Sequence, residues 1–267
     1  MVMELSNSQH SRNDNPRSVI VTGGADGIGR AIAVRFLHGG YRVHVCDNRP
    51  QALATIRADH PEIRGSVCDV SDPDSVRQMI RDANTWQGEL NVLVNNVGLG
   101  GPRAAIEDID VDEWETTFKV NVAGTLHCMQ AVIPAMKARQ SGVIINISTA
   151  STRTRLPMRT AYVASKFAVE GLTLNAAREL GQYGIRCNAV LPGIMNNARM
   201  DAIIADRAEQ SGRSEEDVAR DFLRFVSLRQ RTEPEDVASM VHFLASQEGA
   251  RISGELVAVS GNMEWEE

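Results

Sequence analysis

The stretch "VTGGADGIGRAIA" (residues 21–33) decides how the rest of this chain folds. It joins a short β-branched run, "SVIVT" (18–22), to a segment with helical spacing of apolar residues, and Gly23, Gly27 and Gly29 space its glycines as GxxxGxG. A backbone without Cβ turns tightly and approaches a ligand closely, and the helix that follows offers N–H groups and a positive dipole end to an anion. A glycine turn between strand and helix therefore predicts a site for the pyrophosphate of a dinucleotide.

Short β-branched runs recur along the whole chain and alternate with helical patterns. The predicted strands are 18–22, 42–46, 64–68, 91–95, 143–148, 185–190 and 255–259. The predicted helices between them include 28–37, 76–86, 114–136 and 162–180. This alternation predicts an α/β fold made of βαβ units, with a parallel sheet covered by helices on both faces.

Composition narrows the domain organisation and the partners. A chain of 267 residues with 43% hydrophobic content can bury one large core, so we expect a single domain at 17–267 behind a flexible polar tail at 1–16. A net charge of -6 gives no broad basic field, which argues against a nucleic-acid partner. No apolar run approaches the roughly 18 residues that span a bilayer, so no membrane partner is expected.

The start of the chain lacks the basic and apolar regions of a secretion signal, so a cytoplasmic location is expected. The cysteines have neither metal-ligand spacing nor a CxxC pair. They are expected to be buried thiols in a reducing compartment, and no metal site is predicted: Cys46, Cys68, Cys128 and Cys187.

The strand and helix alternation breaks over about 194–228. This segment has helical periodicity, many charged residues and no strand pattern. Two interpretations remain open: helices of a lid or substrate-binding loop, or a solvated pair of surface helices.

Asp47 ends the second predicted strand, roughly 20 residues beyond the glycines. A carboxylate there can accept hydrogen bonds from an adenosine ribose and would repel a 2′-phosphate, so it predicts NAD rather than NADP. Two alternatives stay open. In one, Arg49 lies two residues further and serves a phosphate if its loop turns inward; in the other, Asp47 begins a turn and binds no cofactor.

Tyr162 and Lys166 lie four residues apart at the start of a predicted helix, so both side chains project from one face. A phenol has a pKa of about 10 and is a poor base near neutrality. A neighbouring ammonium and a cationic nicotinamide favour the phenolate, and lowering its pKa by about 3 units takes about 4 kcal/mol. After a dinucleotide turn, this pair predicts proton transfer to a carbonyl or from an alcohol.

Several further motifs occur in a fixed order. They are "TGGADGIG" (22–29), "CDV" (68–70), "NNVG" (95–98), "NVAG" (121–124), "YVASK" (162–166), "LPG" (191–193) and "RTEPEDVA" (231–238). With this set, the chain from about 18 to 263 resembles the short-chain dehydrogenase/reductase family in its single-domain branch. The resemblance implies a doubly wound Rossmann fold with a seven-stranded parallel sheet, and a homotetramer or homodimer.

The resemblance also implies the catalytic roles. Tyr162 matches the family's acid/base, Lys166 the residue that binds the nicotinamide ribose and lowers the pKa of the tyrosine, and Asn121 a residue of the proton path. The family's substrate-orienting Ser usually lies thirteen residues before the Tyr, and Thr149 occupies that position here. Thr retains the hydroxyl. Ser151 has the same strand parity as Thr149 and is the reserve candidate.

The cofactor site that the resemblance implies has further members. Its predicted residues are Gly23, Asp26, Gly27, Ile28, Gly29, Asp47, Asp69, Val70, Asn95, Tyr162, Lys166, Pro192 and Gly193. After "PG", Asn197 replaces the Thr with which many relatives bind the nicotinamide amide, so this contact is an open question.

Arginines are clustered around the expected substrate pocket: Arg103, Arg153, Arg155 and Arg159. One or two of them would suit an anionic group on the substrate, although the chain has 25 Arg and only 3 Lys, and surface or interface ion pairs are the alternative. The sequence predicts an NAD-dependent dehydrogenase or reductase of small secondary alcohols and ketones. The alternatives are an NADPH-dependent ketoacyl reductase and a Rossmann protein that binds cofactor without turnover.

Overall fold

The computed structural model describes residues 16–263. The tail predicted for 1–16 therefore lies outside the described residues, except for Pro16. The strands are β1 (Ser18–Thr22), β2 (Arg42–Asp47), β3 (Arg64–Val67), β4 (Val92–Asn95), β5 (Gly142–Ile147), β6 (Ile185–Pro192) and β7 (Leu256–Val259). The helices are α1 (Gly27–His38), α2 (Pro50–Asp59), α3 (Pro73–Gln87), α4 (Val111–Phe118), α5 (Gly124–Arg139), α6 (Ser151–Thr154), α7 (Thr160–Leu180), α8 (Ala198–Ser211), α9 (Glu215–Leu223) and α10 (Pro234–Ala245).

The seven strands form one sheet in the order β3-β2-β1-β4-β5-β6-β7, and every neighbouring pair is parallel. The predicted seven-stranded, doubly wound α/β fold is thus confirmed. Each strand lies within two residues of its predicted bounds. The chain order reverses between β1 and β4, where a doubly wound sheet forms a crevice at the carboxyl ends of its strands.

Two apolar cores cover the two faces of the sheet. Val19 and Val21 of β1 pack toward the core that contains α1, α2 and α10, whereas Ile20 packs toward the core of α3, α5 and α7. Successive side chains of a strand point to opposite faces, so one continuous apolar run serves both cores. Complete burial of a side chain such as Ile20 contributes roughly 1.5–3 kcal/mol.

The helix predicted at 114–136 is interrupted. Between α4 and α5 lies a π-helical turn, Lys119–Ala123, with Asn121 buried inside it. A π turn adds a residue to the helix and redirects the side chains around it. The apolar spacing continues through the turn, which is why periodicity predicted a single helix.

The segment at 194–228 folds into α8 and α9, which share a small apolar cluster of Ile204, Ala208 and Val218. Asn197 and Ser214 start the two helices, because their side chains accept hydrogen bonds from the N–H groups of Met200 and Asp217. The segment returns beside its own starting point, where Asn196 N donates to Thr232 O at 2.9 Å.

The described residues contain no helix that is both long and apolar enough to cross a bilayer. Across the same residues, no group of His, Cys, Asp and Glu has the arrangement of a metal site. The four cysteines are buried free thiols, as predicted.

Candidate active site

The turn between β1 and α1 lies at the carboxyl edge of the sheet. Gly23 and Gly27 have φ values of +58° and +51°, which suit glycine. At Gly29, an added Cβ would overlap Gly23 O and lie 2.6 Å from Asn96 Nδ2. Asp26 caps α1 by accepting from Gly27 N at 2.7 Å. The turn therefore leaves the N-terminal end of α1, from Ile28 onward, open to an anion.

Two residues that the sequence interpretation missed hold this turn to β4. Asn96 donates from Nδ2 to Gly23 O at 3.0 Å and to Thr22 O at 3.1 Å. Thr22 Oγ1 in turn accepts from Asn96 N at 3.0 Å. The signal for Asn96 was its place in "NNVG", but only the pairing of β1 with β4 brings it to the glycines.

Asp47 ends β2 with a side chain that is 5% exposed. Arg49 covers its carboxylate: Oδ1 accepts from the Arg49 N and Nε at 3.0 Å, and Oδ2 accepts from Nη2 at 3.2 Å. Arg49 Nη1 also donates to Asp26 at 3.2 Å. The two predicted carboxylates thus lie together beside the glycine turn, with one guanidinium between them.

Asp69 and Val70 follow β3 at the same edge. Asp69 is exposed and accepts from Ser71 N at 2.9 Å, whereas Val70 is buried and its carbonyl contacts His127 Nδ1 at 3.0 Å. Asn95, in contrast, is turned into the sheet. Its Nδ2 donates to Asn146 Oδ1 at 2.9 Å, and the residue lines the same small cavity as Thr22 and Val70.

Tyr162 lies in the first turn of α7, and Thr149 follows β5. The Thr149 hydroxyl lies close enough to the Tyr162 phenol to affect its ionisation, and Thr149 Oγ1 lies 3.1 Å from both Ser151 Oγ and Ser151 N. Burial raises the pKa of Tyr162, and the Thr149 hydroxyl and the charges of Arg199 and Arg159 oppose that rise. Arg199 and Arg159 are thus cations of the protein that favour the phenolate.

Lys166 is 4% exposed, and its Nζ donates to Ile147 O at 2.8 Å. Burial lowers its pKa to about 8, and the charge of Glu170 opposes this shift. Gly98 faces the ammonium, because a Cβ added there would lie 3.1 Å from Nζ. The proton on Lys166 is therefore held weakly enough to be exchanged near neutral pH.

Glu170, which the sequence interpretation missed, lies one turn beyond Lys166 and is 6% exposed. Its Oε1 accepts from Ser148 Oγ at 2.7 Å and from Thr152 Oγ1 at 2.8 Å. These hydroxyls flank Thr149 on both sides. A buried carboxylate thus fastens the segment that carries Thr149 to the helix that carries Tyr162.

Asn121 is fully buried in the π turn and contacts both the loop after β4 and helix α7. Its Oδ1 accepts from Leu99 N at 2.7 Å, and its Nδ2 donates to Leu99 O at 3.0 Å and to Ser165 Oγ at 2.9 Å. Ser165 Oγ donates to Tyr162 O at 2.8 Å. The π turn therefore connects the loop after β4 to the start of α7.

Pro192 ends β6 beside β7, and Gly193 follows it and donates to Val259 O. A Cβ on Gly193 would lie 2.7 Å from Ser260 Cα, and Pro192 O accepts from Ala150 N at 2.8 Å, next to Thr149. Asn197 begins α8, and its Oδ1 accepts from Met200 N at 2.9 Å. Its side-chain oxygen is thus engaged as a helix cap.

The arginines differ in their relation to Tyr162. Arg159 lies over its ring, with Cζ 5.3 Å from the ring centre. The charge of Arg199 of α8, a residue absent from the predicted set, lowers the pKa of the same phenol. The charge of Arg103 lowers the pKa of Arg159. Arg153 and Arg155 are exposed, and within the described range their side chains form no hydrogen bond or ion pair.

Comparison with known proteins agrees with this geometry. A sequence model of the short chain dehydrogenase family matches residues 17–208. The chain belongs to the short-chain dehydrogenase/reductase family. As a member of that family, it is an oxidoreductase that binds a nicotinamide cofactor.

Its relatives within the family include a diacetyl reductase, (S)-acetoin forming, of Staphylococcus aureus, 35% identical over 93% of this chain and 98% of the relative. A 3-oxoacyl-[acyl-carrier-protein] reductase of the same organism is 34% identical over 92% and 98%. Similar solved structures include NAD+-bound xylitol dehydrogenase, with a TM-score of 0.86 and 27% identity over 94% of this chain and 100% of that one. An actinorhodin polyketide ketoreductase with NADPH has a TM-score of 0.87 and 27% identity over 92% and 96%.

The observed residues fit a nicotinamide dinucleotide. The space above Gly27 is open, since an added Cβ would meet no atom within 4 Å, while Gly29 closes the turn tightly enough to bring the end of α1 to a phosphate. Asp47 and Asp26 lie next to this end, and Lys166 and Tyr162 lie on the far side of β4. The residues that would hold the cofactor therefore lie along the crevice of the sheet.

Proposed function

We propose that the protein is an NAD-dependent oxidoreductase of secondary alcohols and ketones, with Tyr162 as its acid/base. The observation that carries the proposal is the contact of the Tyr162 phenol with the Thr149 hydroxyl, on the helix that also buries Lys166. A donor and a proton-transfer group side by side suit a carbonyl oxygen that gains a proton.

The roles of the chain's own residues are those that the family resemblance implies. Thr149 orients the carbonyl oxygen of a ketone, and Tyr162 donates its phenolic proton to that oxygen during reduction or removes it during oxidation. Lys166 holds the ribose next to the nicotinamide and replaces the proton that Tyr162 gives up, and Asn121 keeps this part of α7 in place. A bound nicotinamide cofactor supplies or accepts the hydride.

The preference for NAD rests on Asp47. Its buried, anionic side chain is the group at the end of β2 that would meet the adenosine ribose, and a 2′-phosphate beside it would be repelled. Because Arg49 already neutralises part of this charge, NADPH-dependent ketoacyl reduction is the second candidate. The 3-oxoacyl reductase relative and the NADPH-bound ketoreductase structure favour that alternative.

A cofactor-binding protein without turnover is the weaker alternative, because such a protein needs neither a buried Lys166 nor a phenol placed next to the Thr149 hydroxyl. Assembly as a homotetramer or homodimer, which the family resemblance implies, and a cytoplasmic location belong to the same proposal.

The test is NADH oxidation at 340 nm with a panel of small ketones, for the wild type and Tyr162→Phe. We expect the variant to lose about 100-fold or more of kcat, because general acid catalysis contributes 10²–10⁴-fold. Tyr183→Phe is the matched control, since Tyr183 packs against Lys137 away from the site. Equal rates for the wild type and Tyr162→Phe would refute the assigned role.

A further inference from the structure

Two guanidinium groups meet over Gly100, in the loop that follows β4. Arg159 Nη2 donates to Gly100 O at 2.7 Å while its Cζ lies over the Tyr162 ring. Arg199 reaches the same place from α8, because a Cβ built on Gly100 would clash with Nη2 of both arginines. The absence of a side chain at Gly100 is thus what lets both cations come together beside Tyr162.

These charges have no anionic partner in the part of the chain that the structure describes. Neither Arg159 nor Arg199 forms an ion pair at residues 16–263, and neither does Arg103, whose charge reaches Arg159. In addition, Arg159 Nε is buried without an acceptor. A buried donor without an acceptor and a pair of like charges both cost free energy, so the arrangement calls for an anion.

Other arginines in or next to the 194–228 segment form ion pairs with acidic side chains. Arg231 pairs with Asp201 of α8 at 2.5 Å, and Arg213 pairs with Asp221 of α9 at 2.6 Å. Arg199 stands on the same helix as Asp201 and points to Gly100 instead. Burial and the charge of Arg199 lower the pKa of Arg159, so the charged guanidinium is disfavoured where it stands.

We propose that Arg159 and Arg199 form a subsite for a carboxylate of the substrate, which makes the substrate a small keto acid or hydroxy acid. This inference rests on the proposed function, because the subsite lies beside the phenol that would protonate the ketone. A guanidinium binds a carboxylate through two parallel hydrogen bonds, and a carboxylate between two guanidinium groups offsets their mutual repulsion. Since Arg199 belongs to α8, the bound anion would also link the 194–228 segment to α7.

The test uses pairs of ketones that differ only in this group, because acetyl replaces carboxylate at nearly equal size. The pairs are pyruvate with butane-2,3-dione, acetoacetate with pentane-2,4-dione, and 4-oxopentanoate with hexane-2,5-dione. For the wild type with NADH, we expect kcat/KM of the acid to exceed that of its neutral partner by about tenfold or more in at least one pair.

The variants Arg159→Gln and Arg199→Gln should remove that preference. We expect each to lower the ratio of kcat/KM for the acid to kcat/KM for its neutral partner by about tenfold or more, because losing a cation that favours the Tyr162 phenolate affects both members of a pair alike. The neutral ketone also reports on Arg159→Gln as a folding control, because damage to Tyr162 would affect both members of a pair. Arg178→Gln, an exposed arginine on α7, is the matched charge control and should leave the acid preference unchanged.

A binding measurement separates this inference from the proposed function. Calorimetric titration of each acid and its neutral partner into Tyr162→Phe with saturating NADH measures affinity without turnover. Equal affinity within every pair, or acid preference that survives both arginine variants, overturns the carboxylate subsite. If the subsite is overturned in this way but the wild type still reduces neutral ketones through Tyr162, the proposed function stands alone. If acids bind through the arginines and no ketone is reduced, the subsite stands and the proposed function fails.

Discussion

Single residues decide which groups of this site carry charge. Asp47 and Glu170 are both buried carboxylates, but each is placed against a different cation. Arg49 forms an ion pair with Asp47 at the cofactor end, whereas Glu170 accepts from two hydroxyls and acts on Lys166 through its charge. Removing either carboxylate should therefore change a distinct property of the enzyme.

Asp47→Ala should shift the cofactor preference toward NADP. The change removes the charge that would repel a 2′-phosphate. It also frees Arg49, which in the wild type donates to Asp47 through N, Nε and Nη2. We expect the ratio of kcat/KM for NADP to that for NAD to rise by about tenfold or more. Arg49→Ala, the control, should not raise this ratio, and an unchanged ratio in Asp47→Ala would contradict the role of Asp47.

Glu170→Gln should move the alkaline limb of the pH profile. The Glu170 charge raises the pKa of Lys166 against the lowering effect of burial, so its loss lets Lys166 release its proton at lower pH. The amide oxygen of Gln can still accept from Ser148 and Thr152. We expect the alkaline fall of kcat/KM, near pH 8 in the wild type, to shift to lower pH. A lower rate with an unshifted limb would mean that Glu170 serves the fold alone.

Among the elements, the turn between β1 and α1 acts as one unit with the loop after β4. Thr22 and Asn96 join the two, and Gly29 lies where any side chain would push them apart. The π turn does the same for the catalytic side, since Asn121 connects the β4 loop to α7. The cofactor and catalytic ends of the site are thus both built on the loop after β4.

Gly29→Ala should abolish tight NADH binding. Its Cβ would overlap Gly23 O and crowd Asn96 Nδ2, so the turn would have to open. We expect the dissociation constant for NADH, measured by fluorescence titration, to rise by about tenfold or more. Gly171→Ala in α7 is the control, since its Cβ would meet nothing within 4 Å, and it should stabilise the fold by roughly 0.5–1 kcal/mol. Normal NADH affinity in Gly29→Ala would contradict the tight turn.

For the whole molecule, the strand pattern was predictable because strands buried on both faces are runs of β-branched residues. The face of the sheet on which each side chain lies follows from the two-residue period of a strand, as Val19 and Ile20 of β1 show by packing into opposite cores. What the sequence hid depends on contacts between distant segments. Arg199 meets Arg159 only after α8 folds back over Gly100, and Glu170 has no pattern that separates it from a solvent-facing helical residue.

The free energy of unfolding should depend on pH through the ionisation of the buried Lys166. Its pKa of about 8 in the folded protein lies below the ordinary value of 10.5. Between these values the unfolded chain binds the proton and the folded chain does not, so the contribution of Lys166 to stability rises with pH. We expect the difference in unfolding free energy between the wild type and Lys166→Met, from denaturant titrations at pH 7 to 10, to rise by up to about 3 kcal/mol. A flat or falling difference would contradict a buried, charged Lys166 at pH 7.

The central claim is that Tyr162 gives a proton to a ketone that receives hydride from the nicotinamide. The most direct measurement follows deuterium from [4,4-²H₂]NADH into the alcohol by mass spectrometry, with the ketone panel, the wild type and Tyr162→Phe. We predict one deuterium on the carbinol carbon of the wild-type product and a rate about 100-fold or more lower in the variant. An alcohol without deuterium, or deuterated alcohol formed equally fast by Tyr162→Phe, would contradict the claim.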